Sequence, residues 1–224
     1  MKLKSAFSQD RGCARSSPGD VPLPQLDSLA RSKILLERPL FFIPGEGDDN
    51  AEFWTSASGR TPSMKEWITL VARNPQQAYW VNFVNERRVC RNVSDLAERL
   101  KAKVRAVTGG RTAFDVVAAR GATATILSAF FKSASAEKIH QCVLLDPSEE
   151  EFNKFMEESA VVKNLLLVKS EAAGAARPFG TEKCAPGLCR EIVVKGYTGS
   201  ERWAADSPQL ILVILKISGG MELS

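Results

Sequence analysis

Residues 114–127 read FDVVAARGATATIL, and the rest of the chain is organised around the way this stretch divides. An apolar run ends at Arg120-Gly121-Ala122 and passes, without a cluster of turn residues, into a segment of helical character that continues to Lys132. The spacing predicts a strand, a tight corner and a helix. Arg120, Gly121 and Ala122 then stand at the carboxyl end of a central strand, where α/β proteins present their working groups. The centre of the pentapeptide Ala119-Arg120-Gly121-Ala122-Thr123 is a glycine, not a serine, cysteine or aspartate.

Strand and helix patterns alternate on both sides of this corner. Upstream, residues 34–50 hold two apolar runs, the second predicted as a buried strand that enters the loop Pro44-Gly45-Glu46-Gly47. Phe53 and Trp54 follow, and Met64, Trp67, Ile68 and Val71 recur at helical spacing. Residues 78–84, AYWVNFV, read as a strand of aromatic and branched side chains. Ser94 and Asp95 are the expected caps of a helix with Leu96, Leu100, Val104 and Val107 on one stripe, ended by Gly109-Gly110. Downstream, strands are predicted over 139–145, 164–168 and 192–194. Between the first two lies an acidic helix over 149–158 with Phe152, Phe155 and Met156 inward, and a closing helix spans 206–217. Crossover helices between successive strands imply an α/β fold with a mostly parallel sheet and helices on both faces, a three-layer sandwich.

Composition narrows the classes. A chain of 224 residues suits one α/β domain with an added segment. Residues 1–32 mix Ser, Pro, Gly and charge without periodicity and read as a flexible arm, leaving 33–224 as the single domain. The net charge of +4 comes from 30 Lys and Arg interspersed with 26 Asp and Glu, which does not point to nucleic acid. No apolar run reaches the roughly 18 residues that suggest a membrane span. The opening MKLKSAFSQDRG turns polar before an apolar segment develops, so a cytoplasmic protein is expected. Five cysteines and one histidine without CxxC spacing predict neither a zinc site nor a disulfide framework, although Cys184 and Cys189 are close enough in sequence to pair. No cofactor motif is present. The 44–47 loop lacks the Lys and Ser/Thr of a P-loop, and Gly109-Gly110 precedes a strand.

The runs RPLFFIPGEG over 38–47, VSDLA over 93–97 and DVVAARGATA over 115–124 together resemble α/β-hydrolase-fold proteins, most closely the thioesterase domains that release acyl chains from carrier proteins. The likeness extends over about residues 34–217 and rests on order and spacing. It implies that the loop with Gly45 and Glu46 lies over the site and supplies one oxyanion-hole N–H, while Ala122 supplies the other. It maps the nucleophile to Gly121, and the flanking glycines of GxSxG to Ala119 and Thr123. By position the acid is Asp146 or Glu171; each also reads as a solvated loop or capping carboxylate. The base should follow the last strand, but no histidine lies there. The sole histidine, His140, begins the strand over 139–145, at the opposite end from the corner, and reads as structural.

A hydroxyl needs an adjacent base to act as a nucleophile at neutral pH, and both are missing at the matched positions. The sequence therefore points to a catalytically degenerate member that binds a small-molecule or acyl-type ligand, or a protein partner. Gly45, Glu46, Arg120, Gly121, Ala122 and Ser200 are its candidate ligand-binding residues. The alternative is an active esterase or acyl-thioesterase with a displaced site, using Thr123 in a register shifted to 121–125, or Ser200, with Asp146 or Glu171. Thr123 also reads as a helix residue bonded to its own backbone. Arg120 suits an anion at the corner, or simply a solvated position.

Overall fold

The apolar runs form strands because each can hide both faces. A computed structural model describes residues 33–45, 52–56, 63–83, 90, 92–110, 112–126, 129–130, 139–158, 164–170, 189–194 and 214. Among these, β1 (Leu40–Ile43), β2 (Ala78–Trp80), β3 (Phe114–Ala118), β4 (Ile139–Leu145), β5 (Asn164–Ser170) and β6 (Cys189–Val194) make one sheet in the order β2-β1-β3-β4-β5-β6. Every pairing is parallel. All side chains of β1 and β3 are buried, as a parallel sheet covered on both sides requires. The chain is thus an α/β protein with a parallel sheet.

Alternate residues along the strands enter two apolar clusters. Phe42, Val117, Val143, Leu166 and Val168 meet Trp54 of α1 (Glu52–Thr55) and Met64, Ile68 and Val71 of α2 (Met64–Val71). Phe41, Ile43, Val116, Leu144 and Leu167 meet Leu96, Leu100 and Val104 of α3 (Val93–Thr108). Beyond β3 come α4 (Thr123–Ile126) and, after β4, α5 (Glu149–Glu158), whose Phe152 and Phe155 join the second cluster. Truncating either phenylalanine to alanine removes a fully buried ring, a change of about 3–5 kcal/mol.

Several local expectations are corrected. The helix α3 is capped by Asn92, whose side chain accepts the Asp95 N–H at 2.9 Å, and not by Ser94 or Asp95. Val107 is exposed, and Thr108 takes the inner position in its place. Steps of four from Leu96 lead through Leu100 and Val104 to Thr108, whose hydroxyl bonds the Val104 carbonyl. The glycine stop holds, with Gly109 left-handed at φ 63° and its N–H on the Arg105 carbonyl. The 78–84 strand shortens to three residues, β5 continues to Ser170, and the last strand begins at Cys189. Residues 1–32 and most of the expected closing helix lie outside the described residues; Ile214 is helical and buried in the first cluster. Among the described residues, no helix is long and apolar enough to cross a membrane.

Candidate functional site

The strand order places a switch point between β1 and β3, where the segments leaving two adjacent strands diverge and open α/β sheets bind ligands. The corner after β3 is built by its own hydrogen bonding. The Ala122 N–H donates to the Ala119 carbonyl at 3.1 Å, closing a four-residue turn with Gly121 in its third place at φ 84°. Positive φ at that place is the requirement of a type II turn, and glycine meets it without steric cost. The β1 loop packs directly on this turn, since a Cβ at Gly45 would overlap the Arg120 carbonyl oxygen.

A carboxylate from thirty residues away secures the corner. The Gly121 N–H donates to Glu151 Oε1 at 2.9 Å, while Glu151 Oε2 accepts the Ser148 N–H at 2.8 Å. Ser148 Oγ in turn accepts the Glu151 N–H at 3.2 Å, so the pair forms a capping box at the start of α5. Glu151 was not among the candidates from sequence. Its signal is the Ser-x-x-Glu spacing before Phe152, which marks a helix start but not the distant amide it reaches.

Asp146 follows β4 at the same end of the sheet, in the left-handed region at φ 48° that aspartate enters more readily than most side chains. Its N–H donates to the Val168 carbonyl at 2.7 Å, and its Oδ2 accepts from Ser170 Oγ at 3.4 Å. Burial pushes the Asp146 carboxyl above the ordinary aspartate value; hydrogen bonds from the Ser170 backbone and hydroxyl, and the charges of Arg120 and Lys169, pull the other way. Lys169 is itself buried and lies 3.4 Å from the buried Glu191 carboxylate on the neighbouring strand. Arg120 is exposed.

The structure therefore brings Gly45, Arg120, Gly121, Ala122 and Asp146 to one end of the sheet, and adds Glu151 and Ser170. Thr123 is the first residue of α4. Glu46, Glu171 and Ser200 lie outside the described residues. His140 sits near the amino end of β4, its Nδ1 3.3 Å from Oδ1 of the buried Asp115 and remote from the corner. Cys90 and Cys142 are in no disulfide, and burial raises the Cys142 thiol, with the Asp115 charge adding to the effect.

Chemically, the corner presents a guanidinium and a partly desolvated carboxylate at the carboxyl end of the sheet. Its two turn amides are engaged internally, one by Ala119 and one by Glu151. A tetrahedral oxyanion at the Gly121 amide would have to displace a carboxylate of like charge. Comparison of the chain with protein-family models and with curated proteins finds no match.

Proposed function

We propose that this chain is a catalytically degenerate protein of α/β-hydrolase type, a three-layer sandwich that uses the carboxyl end of its sheet to bind a small molecule or a protein partner. The observation that carries the reading is the state of the corner. Its central residue is Gly121, without a side chain, and the Gly121 amide is held by Glu151. The switch point between β1 and β3, the exposed Arg120 and the raised Asp146 carboxyl support a binding role for that end of the sheet.

A displaced ester or thioester hydrolase is the second reading, favoured by one contact, the Ser170 hydroxyl on the Asp146 carboxylate. Ser170 is only 2% exposed, which closes its oxygen to a substrate carbonyl and supports the binding role instead. The test is turnover of short and medium acyl esters and thioesters by the parent, with Thr123→Ala, Ser170→Ala and Ser200→Ala beside it. No turnover above buffer is expected. Saturable activity lost in any of these variants overturns the degenerate reading. Binding is then sought by thermal shift with Arg120→Ala as the comparison, because a ligand that prefers the native state raises its stability.

A further inference from the structure

The amino end of the sheet joins a buried acid to the chain's one histidine. Along the β3–β4 pairing Phe114 faces Ile139 and Asp115 faces Gln141, so His140 is the extra residue of a β-bulge. Its imidazole reaches across to β3, with Nδ1 3.3 Å from Asp115 Oδ1. Asp115 stands two residues before Val117, on the sheet face that α2 covers, and its side chain is 1% exposed. The imidazole keeps 25% exposure, enough to exchange a proton with solvent. Neighbours on both sides hold the bulge: the Asp115 N–H donates to the Pro39 carbonyl at 2.9 Å, and the Asn164 side-chain amide donates to the His140 carbonyl at 3.5 Å.

Two effects on the imidazole oppose each other. Partial burial disfavours its charged form, and a carboxylate in contact favours it. The contact wins, because Asp115 is almost wholly out of water while the ring is not, and a buried carboxylate that loses a positive partner is costly. On β4, burial and then the Asp115 charge push the Cys142 thiol up, which keeps it neutral. Among the described residues packed on this face, Glu37 and Arg38 pair with each other at 3.2 Å, Glu66 is bound to Ser63, and Lys65 and Arg73 are exposed. Lys169 lies at the far end of β5 beside Glu191. We propose that His140 and Asp115 form a proton-dependent clasp across the bulge, closed by an ion pair when the ring carries its proton and weakened when that proton is lost. The folded state then holds the His140 proton more tightly than the unfolded chain. Its contribution is complete below the unfolded value of about 6.5 and is lost as pH rises through the folded value. The clasp does not depend on the function proposed above.

The experiment uses the full chain. With one histidine, the carbon-bound imidazole protons give a single titration curve by NMR. Its midpoint should lie about one pH unit above the ordinary 6.5, and Asp115→Asn should return it to about 6.5 or below. In urea, the stability advantage of the parent over His140→Gln should be largest at about pH 5 and shrink as pH rises through that midpoint. Amide exchange at Gln141, corrected for its intrinsic pH dependence, should lose up to about tenfold of its protection over the same range, the equivalent of one pH unit. Should Asp115→Asn fail to fold, the parent's midpoint and the His140→Gln comparison still decide. A midpoint at or below about 6.5, a midpoint that Asp115→Asn leaves unchanged, or a stability advantage that is flat or rises with pH would each overturn the clasp.

Discussion

Replacing Glu151 with alanine tests the arrangement of the corner most directly. The side chain accepts two backbone N–H groups, from Gly121 at 2.9 Å and Ser148 at 2.8 Å. Hydrogen bonds to a charged partner contribute about 1.5–3 kcal/mol each, and Glu151 is only half-buried, so the lower end applies and the pair sums to about 3 kcal/mol. For a chain of this length that is a fall in Tm of about 6–12 °C. Glu151→Gln keeps one carbonyl oxygen and should lose about 1 kcal/mol, as should Ser148→Ala, which removes only the cap hydroxyl. Urea unfolding gives the stabilities, and amide hydrogen exchange at Gly121 reports the corner bond itself, which should open faster in Glu151→Ala but not in Ser148→Ala. A Glu151→Ala protein within about 0.5 kcal/mol of the parent would show that the carboxylate does not hold the corner. Equal losses in Glu151→Ala and Ser148→Ala, with Gly121 exchange unchanged, would show that the helix cap alone matters.

Three further outcomes are expected. Gly45→Ala should destabilise by about 1–3 kcal/mol in urea, because the atom its Cβ meets is the Arg120 backbone oxygen, which cannot swing away; stability equal to the parent would mean that the loop moves freely off the corner. Gly121→Ser places a hydroxyl at the corner, yet should give no ester turnover, since the chain's one histidine is bonded to Asp115 at the other end of the sheet; turnover above the parent would refute this. Burial raises the Asp146 carboxyl, so the folded state holds that proton more tightly than the unfolded chain. Its contribution is complete below the ordinary value of 3.8 and is lost as pH rises through the folded value. The parent should therefore lose stability relative to Asp146→Asn as pH rises above 3.8, and a flat or rising difference contradicts the assignment.

Local patterns in the chain specify the elements and their kind. The apolar run over Ile139–Leu145 and the three-and-four spacing of Phe152, Phe155 and Met156 are local signals, because a strand and a helix repeat their side chains every two and 3.6 residues whatever surrounds them. The alternation of such segments also implied a parallel sheet. Short-range detail slipped where neighbours compete for one role, as when Asn92 capped α3 in place of Ser94 or Asp95. The corner was legible as a place, since Arg120-Gly121-Ala122 ends a strand. Its content was not: Glu151 reaches Gly121 across thirty residues, Ser170 reaches Asp146 across twenty-four, and Gly45 lies against Arg120. Those contacts arise only when the whole chain has folded. Strand order brings the ends of β1, β3, β4 and β5 together, and which carboxylate meets which amide depends on how the helices between them pack, a property of the whole folded chain that no local spacing records.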